Sequence, residues 1–213
     1  MKKIILSFAI LLVAAFTVNT ANAQIGIRGG VGFANMKYTD KDIQFEPDSK
    51  IGLSVGISKE IKVLGKFLKL APELMFDVKG TKGVESELLN SYLGVSYNYV
   101  GLGLGAKVNV PVLPIYVLAQ PYFQYLASGQ VVANLDGDIT RTKIEDFGDT
   151  KRGEFGVNLG LGASFNVGPL GLFAEARYAV PMTSLEEYSD TETYKLKNKY
   201  FTVSLGILIG GGQ

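Results

Sequence analysis

The chain has 213 residues, with 21 Lys and Arg against 20 Asp and Glu, 26 Gly, 11 Tyr, 12 Phe, and no Cys, His or Trp. The lack of cysteine excludes a disulfide scaffold and a lipid-modified N-terminal thiol. The lack of histidine excludes Ser-His and Asp-His catalysis and any His-ligated metal, and the near-neutral charge implies no nucleic-acid partner.

At the N-terminus, Lys2 and Lys3 precede an apolar stretch from Ile4 to Val18 and then Ala21-Asn22-Ala23. A basic start, a short apolar run and an A-x-A site read as a secretory signal cleaved before Gln24. The run is shorter than the roughly 20 residues of a spanning helix, so an uncleaved anchor is the weaker alternative. The expected organisation is a signal peptide over residues 1–23 and one domain over 24–213, with no linker or composition shift inside it.

The rest of the chain alternates apolar residues with Gly, Ser, Asn or an isolated charge, the period of β-strands with two different faces. The first strand runs from Ile25 to about Met36, with Ile25, Ile27, Val31 and Phe33 opposed to Gly26, Arg28, Gly30, Gly32 and Ala34. The second, about Lys50 to Lys59, sets Ile51, Leu53, Val55 and Ile57 against Gly52, Ser54, Gly56 and Ser58. The third, Phe67 to Val78, carries Lys69, Glu73 and Asp77 on its polar face, and Pro72 marks a candidate bulge. The fourth, Val95 to Val108, opposes Val100, Leu102 and Leu104 to Tyr99, Gly101, Gly103, Gly105 and Lys107.

A fifth strand from Ile115 to about Ala127 alternates Val117, Ala119 and Phe123 with Tyr116, Gln120, Tyr122 and Gln124. The sixth is the cleanest: Phe155, Val157, Leu159, Leu161, Ala163, Phe165 and Val167 interleave with Gly156, Asn158, Gly160, Gly162, Ser164 and Asn166. The seventh places Leu172, Ala174, Ala176 and Tyr178 opposite Phe173, Glu175, Arg177 and Ala179. The last, Lys199 to Gly210, alternates Phe201, Val203, Leu205, Ile207 and Ile209 with Tyr200, Thr202, Ser204, Gly206 and Leu208.

Long polar connections near Lys37–Ser49, Lys79–Gly94, Ser128–Arg152 and Thr183–Asn198 alternate with short ones near Glu60–Lys66, Asn109–Pro114 and Gly168–Gly171. In an up-and-down barrel with an even strand number, that alternation puts the two kinds at opposite ends. Outer-membrane barrels keep the short turns and both termini periplasmic. The alternate positions of the second and sixth strands are almost all Gly, Ser and Asn, where a solvated surface would be a quarter to a third charged, which argues for a crowded lumen and a lipid-facing apolar side. The expected fold is therefore all-β, an eight-stranded antiparallel up-and-down transmembrane β-barrel in the outer membrane. A soluble barrel with an apolar cavity is the alternative.

Isolated charges on the inner face are Arg28, Lys69, Glu73, Asp77, Lys107, Glu154, Glu175 and Arg177. A lone buried charge is costly, so these residues are expected to pair across the lumen as a structural network. A narrow gated ion path is the competing reading. Carboxylate-only catalysis would have to use Glu73, Asp77 or Glu175, and ion pairing is the better account of all three. No enzyme activity, catalytic residue, cofactor or metal is expected. Gly101-Leu102-Gly103-Leu104-Gly105 lies within a strand ladder and not between a strand and a helix, so it is no nucleotide loop. Asp136, Asp138, Glu145, Asp146 and Asp149 are interspersed with Arg141, Lys143 and Lys151, as in a solvated loop more than a calcium site. Phe33, Tyr38, Tyr97, Tyr125, Phe147, Tyr188 and Phe201 are candidates for interfacial girdles.

Three short motifs are Gly26-Ile27-Arg28-Gly29-Gly30, Leu70-Ala71-Pro72-Glu73-Leu74 followed by Lys79-Gly80, and Glu175-Ala176-Arg177-Tyr178. On these the chain resembles, over its whole mature length, the PorT-like outer-membrane β-barrel proteins of the Bacteroidetes group. The resemblance implies an outer-membrane barrel, and its namesake is associated with protein secretion and gliding machinery. The expected function is structural or interactive, with outer-membrane lipid around a monomer and a possible protein partner at the long loops or periplasmic turns. An accessory role in a secretion apparatus and carriage of a small apolar ligand by a soluble barrel are the alternatives.

Overall fold

A computed structural model describes residues 23–39, 48–82, 85–86, 91–135, 138–144, 152–168, 170–183, 186–188 and 194–210. Eight long strands carry the fold: β1 (Gln24–Thr39), β2 (Asp48–Leu64), β3 (Leu68–Lys82), β5 (Ser91–Asn109), β6 (Ile115–Leu135), β8 (Gly153–Val167), β9 (Leu170–Pro181) and β11 (Tyr194–Ile209). Short pieces β4 (Glu85–Ser86), β7 (Asp138–Lys143) and β10 (Glu186–Tyr188) attach to β5, β6 and β11. Each long strand pairs antiparallel with its neighbour, and β1 pairs with β11 from Ile25↔Ile209 to Thr39↔Lys195, which closes the ring. The signal-like residues 1–22 lie outside the described set.

Alternation decides which side faces out, because successive side chains leave opposite faces of a strand. The apolar set points away from the lumen: Ile51 is 66% exposed, Leu161 58% and Leu205 69%. The opposite set is sealed inside, with Tyr99, Ser54 and Gln120 all at 0%. A polypeptide that exposes a continuous apolar belt and buries its charges is inverted relative to a water-soluble domain, and lipid is the solvent that makes this arrangement favourable. A soluble carrier would need the apolar set inside, and here that set points outward while the charged set is buried in the lumen.

Several strands outrun their sequence-based limits. β6 continues to Leu135, β5 begins at Ser91 and β11 at Tyr194, and part of the expected Ser128–Arg152 connection is the β6–β7 hairpin. Asp138, Arg141 and Lys143 therefore stand on a strand, whereas Asp136, Glu145, Asp146 and Asp149 lie outside the described residues. All of β7 is exposed. A strand wetted on both faces shows no apolar periodicity, so its sequence resembles a loop. A tilted membrane strand needs about 9–11 residues, so 19 residues in β5 and 21 in β6 carry the sheet well past the bilayer.

Pro72 causes no bulge. β3 and β5 stay in register from Leu68↔Val108 to Thr81↔Val95, and pairing with β2 is interrupted opposite Pro72, between Ser58↔Glu73 and Ile61↔Leu70. The register shifts in β3's pairing with β2 lie elsewhere, between Ser49 and Ser54 and between Lys62 and Leu64. Of the girdle candidates, Phe33 and Phe201 face each other across β1 and β11 with ring centroids 6.3 Å apart, and Tyr125 is exposed. Phe147 and the side chains of Tyr38 and Tyr188 lie outside the described set.

Candidate functional site: a charge network filling the lumen

The barrel interior is built from long polar side chains laid over glycines. Arg28 pairs in register with Gly56 on one side and Gly206 on the other, Arg177 with Gly160, Tyr116 with Gly162, and Tyr122 with both Gly103 and Gly156. At Gly56 an added Cβ would sit 2.9 Å from Arg28 Nε and closer still to Glu73 Oε1, so only glycine leaves room for that ion pair. The inward glycines of the Gly101–Gly105 run serve the same purpose for β6, since a Cβ on Gly103 would meet Gln120 Cδ at 2.8 Å.

At mid-height, Glu73 accepts from Arg28 Nε at 2.6 Å, from an Arg177 terminal nitrogen at 2.8 Å and from Gln120 Nε2 at 2.7 Å. Arg28 also donates to Ser54 Oγ at 2.7 Å, and Ser54 donates to Asp77 at 2.6 Å. Gln124 completes Asp77 from β6, and Arg177 Nε pairs with Glu175. Asn158 donates to Gln120 Oε1 at 2.9 Å, so all the residues here form one connected lattice.

Toward the short-turn end, Glu60 takes Lys69 at 2.8 Å and Lys107 at 2.7 Å, and Lys107 lies 3.7 Å from Glu175. Tyr116 donates to Glu175 at 2.8 Å, and the Lys107 ammonium stands 4.8 Å from the Tyr116 ring and 5.0 Å from that of Phe173. Toward the long-connection end, Lys79 pairs with Glu154 at 2.6 Å inside a cage of Tyr99, Tyr122 and Tyr200, at 4.8, 5.6 and 5.2 Å from the ring centres. Tyr122 also donates to Glu154 at 2.9 Å. Cation–π attraction adds to the ion pair in such a desolvated site.

All eight inner-face charges singled out in the sequence lie in this lattice. Glu60 and Lys79 do too, although sequence reasoning placed them at the start of connections; both lie inside strands. Counting them, five cations (Arg28, Lys69, Lys79, Lys107, Arg177) share the lattice with five carboxylates (Glu60, Glu73, Asp77, Glu154, Glu175), of which four pair with cations and Asp77 takes Ser54 and Gln124. Glu73 is held by three fixed donors and Asp77 and Glu175 by two each, which ties all three carboxylates to structure. A cavity of only about 10 Å³ remains among Arg28, Asp77, Arg177 and Tyr200, the room of roughly one water, so the middle of the barrel is packed.

A closed antiparallel barrel of eight strands, apolar outside and filled inside by paired charges, is an outer-membrane β-barrel. Residues 17–187 match the family described as outer membrane protein beta-barrel domain, and the chain belongs to that family. A comparison with curated proteins finds no match. Among solved structures, a major outer membrane protein from Thermus thermophilus has the same fold, with a TM-score of 0.51 and 13% identity over 88% of this chain and 98% of that one. The attachment invasion locus protein Ail of Yersinia pestis is similar at TM-score 0.46 and 10% identity, covering 88% of this chain and 99% of Ail. Neisserial surface protein A is similar at TM-score 0.43 and 14% identity, covering 89% and 99%.

Proposed function

We propose that the protein is a monomeric, non-enzymatic outer-membrane barrel with a structural or interaction role, exported by residues 1–23 and displaying its long connections outside the cell. The observation that carries this reading is the packed lumen beneath walls that rise past the bilayer. A barrel plugged by ten charges held in one polar lattice offers no solute a path, so its contact with other molecules belongs to the raised rim. The short-turn end holds the start of β1 and the end of β11, matching the periplasmic end of barrels of this kind.

The absence of cysteine makes the test clean. Thr140→Cys in β7 is expected to react with a membrane-impermeant maleimide on intact cells, and Val112→Cys in a short turn only after lysis. The opposite labelling pattern would reverse the orientation, and equal recovery in the soluble fraction would remove the membrane assignment. An intact mass beginning at Gln24 checks the export signal. The finer assignment, an accessory part of a secretion or gliding apparatus, is supported by the PorT-like motifs alone. Crosslinking from the short turns to a periplasmic component tests it.

A further inference from the structure

The three short turns are apolar. Lys66 is the one charged residue between Val63 and Leu68 in the β2–β3 turn, and the β5–β6 turn, Val110-Pro111-Val112-Leu113-Pro114, carries no polar side chain. Val167 and Leu170 stand exposed at the β8–β9 turn. Leu64 is 63% exposed and Leu113 55%, as open as Leu161 at 58% in the lipid-facing ladder of β8. Connections that meet water are built from polar and turn-forming residues, whereas a contiguous exposed apolar patch marks an interface.

These turns are also knit together so that their backbone needs little water. Phe67 N donates to Leu64 O at 3.0 Å. Asn109 ties the first turn to the second, giving its backbone N to Phe67 O at 2.8 Å and its side-chain Nδ2 to Lys66 O at 2.6 Å. Val110 N donates to Ile115 O at 2.9 Å, Leu113 N to Val110 O at 3.3 Å, and Ser164 N of β8 to Pro114 O at 2.7 Å. Pro111 and Pro114 have no N–H to satisfy. Internal bonding of this kind suits a water-poor layer, where an unmet polar group is costly.

The patch continues the lipid-facing belt without a break. In β8 the outward ladder from Phe155 to Val167 rises about 30 Å along the barrel axis, at about 3.3 Å per residue and a tilt of about 40°, against an apolar band about 25 Å tall. A ladder longer than the band leaves no bare stretch between lipid and turn. We propose that the short-turn end is seated in the phospholipid headgroup layer of the leaflet on that side. Leu64, Phe67, Leu113, Val167 and Leu170 lie against the acyl carbons nearest the headgroups, and the long stem of exposed Lys66 lets its ammonium reach lipid phosphate. Val112, at the apex of its turn, stands at the aqueous edge of that layer. Pinning the foot in this way sends the surplus length of β5 and β6 out of the opposite face, where the rim stands. The seat rests on the membrane reading proposed above.

The chain has no Trp, so single-tryptophan variants report each site separately. Phe67→Trp and Leu113→Trp are compared with Leu161→Trp in the belt and Thr140→Trp in β7, all folded into phosphatidylcholine vesicles in which part of the lipid is brominated on the acyl chain near the headgroup. Both turn variants should be quenched at least half as strongly as Leu161→Trp, with emission to the blue of Thr140→Trp. Weaker quenching at either folded turn variant overturns the seat and leaves the turns to water or to a protein partner. Absence of quenching at Leu161 as well would take down the membrane reading itself, and the seat with it. The boiling-dependent gel shift shows which variants are folded, and since the two turn substitutions lie in different hairpins, either one decides.

Discussion

Replacing Glu73 by Gln removes one charge from the centre of the lumen while keeping its shape. Glu73 is 1% exposed and accepts three donors, from Arg28, Arg177 and Gln120. The amide retains one acceptor oxygen, but its NH₂ now faces a donor, so one hydrogen bond becomes a donor–donor contact. Arg177 keeps Glu175, whereas among the described residues Arg28 is left with the Ser54 hydroxyl. Breaking a buried pair by deleting one partner costs about 3–5 kcal/mol, because the remaining charge stays desolvated. With a urea slope of about 1–3 kcal/mol/M, the unfolding midpoint should fall by about 1–5 M. The chain has no Trp, so far-UV circular dichroism and gel mobility without boiling are the readouts, on protein folded in lipid vesicles. Adding Arg28→Met should recover part of the loss, since the stranded cation leaves with it. A cost below about 1 kcal/mol for Glu73→Gln, or strict additivity of the two changes, would refute a coupled buried lattice.

Leu161→Arg on the outer face of β8 should cost about 2–4 kcal/mol in lipid if it lies near the bilayer midplane, measured by the same titration; unchanged stability would count against the face assignment. Gly56→Ala should destabilise by about 1–3 kcal/mol, because the new methyl splays Arg28 from Glu73, and a neutral result would mean the pair is loose. Val112 holds a φ of 72° in a fully exposed turn, a strained conformation for a β-branched residue. Val112→Gly should therefore gain about 0.5–1 kcal/mol once glycine's larger unfolded-state entropy is subtracted. In planar bilayers the parent protein should show no steady conductance, and a reproducible open level would contradict the packed middle of the lumen.

The strand faces were legible because alternation is a local property. The β8 ladder from Phe155 to Val167 names its own outward and inward sides, and Arg28, Glu73 and Arg177 declare themselves as isolated charges among glycines. Glu60 and Lys79 were not legible. Lys59-Glu60-Ile61-Lys62 and Lys79-Gly80-Thr81-Lys82 look like polar connections, and nothing nearby in the chain hints at burial. Only ring closure brings Lys79 to Glu154, 75 residues away, and Glu60 to Lys107, 47 residues away. The β6–β7 hairpin was hidden for a related reason, since strands that water covers on both sides need no apolar face.

The sequence by itself determined a two-faced sheet, its strand number and the chemistry of each face, because side chains alternate every residue regardless of what the strand pairs with. The tertiary structure alone decided which charge meets which, where the lumen is plugged and where it opens. Those depend on the stagger at which eight strands close, and that stagger is set by contacts between residues far apart along the chain.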